Sequence, residues 1–123
     1  PTVLEAAGLP APRGIQGRSV YGLINGNAPG WRREFFYEHA FNANGWISPT
    51  EGLRTETWKY TTYPNEEIPF EELYDLAKDP EELTNLAKDS RSKDRIETMR
   101  ARYRTWREKL EAWKPDQVWT DPA

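Results

Sequence analysis

Residues 96–113 read IETMRARYRTWREKLEAW, and their apolar side chains recur at spacings of three and four residues. The other side of this segment is rich in Arg and Lys. The pattern predicts an amphipathic helix of roughly five turns that ends before Pro115. A sheet from the rest of the chain is a simpler cover for this stripe than a coiled-coil partner. The stripe consists of Ile96, Met99, Tyr103, Trp106, Leu110 and Trp113.

Three segments upstream of that helix predict a sheet. EFFYEHAF at 34–41 alternates at period two with apolar groups on both faces, which favours a central strand. EGLRTETWKYTT at 51–62 predicts two strands joined by a tight turn near 55–57, and ELYDL at 72–76 predicts a fourth strand. The predicted fold class is therefore α+β, with a four-stranded antiparallel sheet packed against a long C-terminal helix.

Short helical segments are predicted before and after the sheet. TVLEAA at 2–7 predicts a helix ended by Gly8, and 19–24 predicts one turn capped by Ser19. DPEE at 79–82 has the composition of a capping box, which predicts a helix of about two turns reaching Lys88. The side chains of Asp75, Asp79, Glu82 and Asn85 resemble a metal cluster on paper, but capping and turn roles explain them better.

Composition and charge exclude several classes of function. The 123-residue chain has no cysteine, which excludes a disulfide framework, a thiolate metal site and a cysteine nucleophile. No apolar run reaches about 20 residues, so no membrane partner is expected. The net charge of −3 argues against a nucleic acid partner. Residues 64–82 are acidic and 90–114 are basic, so these segments either lie against each other or are solvated separately. The start at Pro1, without a leader, indicates a piece of a longer protein.

Several short motifs occur in an order that resembles the C-terminal region of type I sulfatases. This alkaline-phosphatase-like family includes arylsulfatases and glycosaminoglycan sulfatases. Each motif is weak by itself, but their order and spacing together are specific, and they cover nearly the whole chain. The motifs are PTVLEAAG at 1–8, GRSV at 17–20, FYEH at 36–39, TEGLRTETWKY at 50–60, ELYDL at 72–76, DPEE at 79–82 and NLA at 85–87.

The resemblance implies that the parent protein is a sulfatase, a sulfuric ester hydrolase. It implies a formylglycine made from Cys or Ser in a C/S-x-P-x-R motif, with a divalent cation beside it, usually calcium. This chain has no such motif and only one histidine, so the fragment alone is expected to be inactive, with no catalytic or metal-binding residue of its own. Among N-acetylglucosamine-6-sulfatases a His commonly precedes the Gly of TEGLR. Glu51 stands there in this chain, so that substrate assignment does not carry over.

The resemblance also implies partners and boundaries. We expect 1–30 to be the tail of the large sulfatase domain with a linker, and 31–123 to be the C-terminal subdomain. The implied partners are the upstream catalytic domain and a sulfated carbohydrate or aryl sulfate, and the implied location is periplasmic or secreted. Separation from the large domain would expose its docking surface, so the fragment is expected to self-associate through 2–23.

Three residues are candidates for substrate contact. His39 could reach the sugar or leaving group, although a strand histidine packed among aromatic residues is the more ordinary interpretation. Arg54 could bind an anionic group, or it could pair with a neighbouring carboxylate such as Glu38. Trp46 could stack on a sugar ring, or it could fold back onto the sheet.

Two functions of other classes compete with the sulfatase subdomain. The aromatic richness of the chain would suit a freestanding carbohydrate-binding module. The basic terminal helix would suit a partner-binding module, provided that its apolar stripe is not buried on its own sheet.

Overall fold

The computed structural model describes residues 1–40, 48–64, 70–118, 120 and 122. It confirms the predicted α+β class, with one four-stranded antiparallel sheet, a long C-terminal helix and short N-terminal helices. Within the described residues, no helix combines the length and apolar character that a membrane crossing requires. The elements are α1 (Thr2–Ala6), α2 (Tyr21–Ile24), β1 (Glu34–His39), β2 (Thr50–Thr55), β3 (Trp58–Thr62), β4 (Glu71–Asp75), a 3-10 turn (Ser90–Ser92) and α3 (Lys93–Ala112).

The chain divides into two compact units. The sheet unit comprises Arg33–Arg107, and the terminal unit comprises Pro1–Arg32 with Glu108–Ala123. The sheet unit therefore contains all four strands and most of α3. The domain boundary expected between residues 30 and 31 stays a prediction.

The sheet is a simple antiparallel meander in the order β1-β2-β3-β4. The β2–β3 turn falls where it was predicted, because the Thr55 hydroxyl accepts hydrogen bonds from the amides of Thr57 (3.3 Å) and Trp58 (2.9 Å). The prediction that the first strand is central is wrong, since β1 lies at the edge. Its apolar groups on both faces have separate causes: α3 covers one face, and Tyr37 lies across the other.

A single cross-strand row forms the core beneath α3. Phe36, Leu53, Tyr60 and Leu73 are paired in register across the four strands. Leu53 and Leu73 of this row are fully buried, as is Met99 of α3. Full burial of such a side chain stabilises the folded state by about 1.5–3 kcal/mol. Because Ile96 and Trp106 are buried too, the part of the predicted stripe that lies in the sheet unit packs on the sheet.

Carboxylates from three strands fasten α3 to the sheet. Each accepts hydrogen bonds from donors on the helix, and the sheet and helix therefore meet in a fixed register. The predicted contact between the acidic and basic segments is confirmed at one of these pairs, Glu71 with Arg100. The helix partners are Trp106 (2.9 Å) and Arg102 (2.6 Å) for Glu34, Tyr103 (2.5 Å) and Arg107 (3.2 Å) for Glu51, and Arg100 for Glu71. Glu71 also accepts a hydrogen bond from Tyr60 of β3 (2.5 Å).

The helix predicted for 79–88 is wrong. The carboxylate of Asp79 does cap backbone amides, but they belong to Leu83 (3.0 Å) and Thr84 (2.8 Å), too far along the chain for a helical first turn. Glu82 has φ 58°, in the left-handed region, where a helix cannot continue. The segment therefore forms consecutive turns.

Asn85 holds this turn segment along the edge of β4 that faces away from β3. Its side-chain oxygen accepts from the Leu73 amide (3.1 Å), and its nitrogen donates to the Glu71 carbonyl (3.0 Å). The Leu86 amide donates to the Leu73 carbonyl (2.8 Å). These bonds satisfy strand groups that a local helix would leave without partners.

The terminal unit has short helices near both predicted positions, but α2 begins at Tyr21 with Val20 at its N-cap, so the prediction of Ser19 as the cap is wrong. Gly8 follows α1 with φ +69°, a conformation that suits glycine at the end of a helix. The Ser19 hydroxyl accepts from the Tyr21 amide (3.2 Å) at the start of α2. Several large apolar side chains of this unit are exposed, including Val3 at 81% and Ile24 at 71%.

Candidate functional site

The sheet face opposite α3 carries two of the predicted site residues, and we call it the outer face. Strand alternation places His39, Tyr37 and Phe35 of β1 there, beside Thr50, Gly52 and Arg54 of β2. The face continues onto Lys59 and Thr61 of β3 and onto Glu72 and Tyr74 of β4. It is therefore a mixed aromatic and charged surface, unlike the apolar row beneath α3.

Tyr37 lies flat across the outer face. Its hydroxyl is 2.6 Å from the Thr61 hydroxyl and donates to the Tyr60 carbonyl at 3.1 Å, although both partners are on β3. Because β2 lies between β1 and β3, the side chain must extend across β2 and lie along the sheet to reach these groups. The residue that it crosses on β2 is Gly52, its partner in register.

The absence of a side chain at Gly52 makes this arrangement feasible. A Cβ atom there would stand 2.4 Å from both Cζ and the hydroxyl of Tyr37, and 2.3 Å from the Tyr60 carbonyl oxygen. Glycine within a strand commonly marks such a close approach. Burial raises the pKa of the Tyr37 phenol, so the hydroxyl stays protonated and available for hydrogen bonding.

Lys59 and Arg54 both lie close to the carboxylate of Glu82. Lys59 forms an ion pair with Glu82, and Arg54 approaches the same carboxylate at 3.8 Å. Arg54 does not pair with Glu38, because strand alternation puts Glu38 on the side of the sheet that faces α3. The Arg54 side chain is 44% exposed, so its guanidinium is accessible from solvent.

Carboxylate and phenol groups also pair on the β3–β4 side of the outer face. The Tyr63 hydroxyl donates to Glu72 at 3.2 Å. Burial raises the pKa of Tyr74 to about 12, and the nearby Glu72 carboxylate adds to the effect. These phenols are neutral hydrogen-bond donors at physiological pH.

His39 is exposed at the last position of β1, so packing among aromatic residues is the wrong interpretation for it. It lines a small cavity of about 180 Å³ at this end of the sheet. Glu51 also lines the cavity, with its carboxylate held by Tyr103 and Arg107 as a helix anchor. The other lining residues are Glu38, Ala40, Pro49, Thr50, Pro64 and Arg107.

The structure brings His39 and Arg54 onto one face, at opposite ends, with Tyr37 between them. Trp46 lies outside the described residues. Reasoning from the sequence missed Tyr37, although the signal for it was present in the Gly52 of TEGLR. That His39, Arg54 and Trp46 contact substrate stays a prediction.

The parts of the chain that the structure describes do not fit a sulfatase metal centre. They contain no group of three or more His, Asp or Glu side chains arranged to hold a cation. Asp79 caps backbone amides, although not those of the predicted helix, and Asn85 bonds to β4, a role that the sequence did not predict. The sequence also has no cysteine from which a formylglycine could form.

Taken together, the architecture defines an α+β module made of an antiparallel meander covered on one face by a terminal helix. The family described as N-sulphoglucosamine sulphohydrolase, C-terminal, matches residues 1–109. That match covers most of the chain, and the chain belongs to this family. The resemblance to sulfatases seen in its motifs is thereby confirmed.

Similar proteins agree with this assignment. Arylsulfatase K of Rattus norvegicus is 36% identical over 97 residues, which cover 71% of this chain and 16% of the relative. BT1596, described as a 2-O GAG sulfatase, superposes with a TM-score of 0.75 at 27% identity, over 92% of this chain and 25% of that one. BT4656, solved with its substrate D-glucosamine-2-N,6-O-disulfate, shares the fold, with a TM-score of 0.80 at 24% identity over 95% and 24% of the two chains. The chain thus spans a small part of these proteins.

Proposed function

We propose that this chain is the C-terminal subdomain of a sulfatase, and that the full protein hydrolyses sulfate esters of carbohydrates or aryl alcohols. The observation that carries the proposal is the family match over residues 1–109, which extends across both short helices, all four strands and most of α3. A match of that extent depends on the order of the whole module and not on one motif.

In this proposal the subdomain completes the fold of the full protein and supplies one wall of its substrate cleft. Residues 1–30 are the end of the large domain with a linker, and 31–123 are the subdomain. The exposed Arg54 and His39 are the described residues best placed to contact an anionic substrate, and Trp46 is a third candidate from the sequence. By its family, the full protein is expected in the periplasm or outside the cell.

The chemical step belongs to residues outside this chain. A formylglycine hydrate supplies the nucleophile in such enzymes, and a cation, usually calcium, stabilises the sulfate oxygens. Since the described residues do not fit that group, we assign the subdomain only binding and positioning roles.

The two alternatives have less support. The partner-binding helix is disfavoured because Ile96, Met99 and Trp106 are buried within the sheet unit. The freestanding carbohydrate module is disfavoured because the matched relatives and structures are much longer sulfatases.

The direct test is a sulfatase assay on the full-length protein. Inorganic sulfate release would be measured from 4-nitrophenyl sulfate and from a panel of sulfated glycosaminoglycan disaccharides, with 4-nitrophenyl phosphate as the comparison ester. We expect sulfate release from at least one substrate, and loss of it when the Cys or Ser of C/S-x-P-x-R is replaced by Ala. A gene without that motif upstream of residue 1, or no release from any substrate, would refute the proposal.

A further inference from the structure

The flat position of Tyr37 produces a surface that sulfatase activity alone does not explain. One side of its ring lies against the backbone at Gly52, and its hydroxyl is fixed by Thr61 and the Tyr60 carbonyl. The ring is therefore held without relying on a ligand. An aromatic ring fixed parallel to a sheet offers its outer side as a planar apolar surface.

The groups around that ring have a definite chemical character. His39 is two positions towards the end of β1, and Arg54 is two positions beyond Gly52 on β2, so they flank the ring on opposite sides. The Glu72 carboxylate of the outer face is bound by Tyr63, and the Glu82 carboxylate of the turn segment is paired with Lys59 and, at 3.8 Å, with Arg54. The Arg54 side chain is 44% exposed in spite of that pairing, so it presents a positive charge to solvent beside the ring.

We propose that Tyr37, laid over Gly52 between His39 and Arg54, is the floor of a binding surface for a sulfated sugar ring. The C–H face of a pyranose stacks on the Tyr37 ring. The sulfate accepts paired hydrogen bonds from the Arg54 guanidinium, whose planar fork matches a tetrahedral oxyanion. His39 faces the hydroxyl groups at the opposite edge of the sugar. This inference rests on the proposed function for the identity of the ligand class.

A single aromatic ring beside the exposed guanidinium of Arg54 is better suited to a sugar ring than to another protein surface. A protein partner would favour a broad apolar centre with charges at its rim. Here the aromatic surface is a single ring with polar groups on each side, which is too small for the apolar centre of such an interface. Docking of another part of the protein on this face is the competing outcome of the test.

The test measures binding, so that it does not depend on turnover. Calorimetric titration of the full-length protein would use a panel of sulfated glycosaminoglycan disaccharides, each with its unsulfated disaccharide as the matched probe. Any upstream nucleophile would be replaced by Ala to prevent hydrolysis. We expect Tyr37→Ala to weaken binding of the sulfated sugar about tenfold, the order of one well-formed aromatic contact. Arg54→Gln should remove most of the preference for the sulfated over the unsulfated sugar.

Two further variants separate this inference from trivial loss of folding. Tyr37→Phe keeps the ring and should retain most of the affinity. Arg91→Gln changes an arginine whose side chain is 88% exposed near the start of α3, and it should bind like the wild type. If Arg91→Gln weakens binding as much as Arg54→Gln, the effect is general charge and the inference fails.

The remaining outcomes also decide the question. If Tyr37→Ala and Arg54→Gln lower the melting temperature of the full-length protein but leave sugar affinity unchanged, the outer face docks protein and the inference is wrong. Sugar binding that depends on Tyr37 in a protein without sulfate release would sustain the inference and refute the proposed enzyme. Sulfate release with an unchanged KM in Tyr37→Ala and Arg54→Gln would support the proposed enzyme and refute the inference.

Discussion

The ring of Tyr37 occupies the space that a side chain at Gly52 would need, with Cζ 2.4 Å from the position of the missing Cβ. This pairing is cross-strand, because the two residues face each other in the β1–β2 register. It links the architecture of the sheet to the shape of its outer face, since only a glycine at this position lets the tyrosine lie flat.

Gly52→Ala should therefore destabilise the protein by about 1–3 kcal/mol, the usual cost of overpacking a well-packed site. The new methyl group would collide with Tyr37 and with the Tyr60 carbonyl. Urea unfolding followed by circular dichroism would measure the change. Gly17→Ala is the matched control, because a Cβ there meets its nearest neighbour at an ordinary 3.8 Å. Equal stability of the two variants would contradict the close packing described for Gly52.

Substitutions at Glu82 should separate backbone strain from ion pairing. Its φ of 58° costs a non-glycine residue about 1–3 kcal/mol, and the pairs with Lys59 and Arg54 offset that cost. Glu82→Gly loses the pairs but relieves the strain, so its stability should stay close to that of the wild type. Glu82→Val loses the pairs and keeps the strain, and should be less stable than Glu82→Gly by about the strain cost. Equal midpoints for the two variants in urea would show that the backbone is not strained.

The stability of the sheet unit should fall in acid through Glu71. Hydrogen bonds donated by Arg100 hold the pKa of Glu71 below its ordinary value of 4.5. A carboxylate with a lowered folded pKa contributes stability above 4.5, and that contribution is lost as the pH falls towards the folded pKa. The stability difference between wild type and Glu71→Gln should therefore be largest above pH 4.5 and should shrink below it. Glu5→Gln, at an exposed position of α1, serves as the control, and a constant difference across the acid range would exclude the linkage.

The 123-residue chain should self-associate through the exposed apolar side chains of the terminal unit. Val3 and Ile24 are the most exposed of these side chains in α1 and α2. Replacement of both by Asp should shift sedimentation towards the monomer, because charges prevent burial of the patch. A wild-type chain that is already monomeric at high concentration would contradict this expectation.

Patterns carried by periodicity were predictable from the sequence. The α3 stripe and the β2–β3 turn depend on neighbours within a few residues, and both occur as predicted. The class of the fold followed, since the stripe on α3 required a sheet to cover it.

Features that depend on distant partners were not predictable from local pattern. The sequence at 79–88 has a good helix start, but Asn85 gains more by bonding to Leu73 and Glu71 of β4 than a short helix could offer. The pairing of Arg54 with Glu82 instead of Glu38 depends on where that turn segment passes. The flat position of Tyr37 was open to prediction from Gly52, yet only the register of β1 and β2 identifies the tyrosine concerned.

The hydrogen bonds of Asn85 and Leu86 to Leu73 have a consequence for assembly. Both main-chain groups of Leu73 that point away from β3 are already occupied, so an incoming strand cannot add beside β4 at that position. A strand from a second molecule, or from another segment of a larger protein, is therefore obstructed at the Leu73 position of this edge.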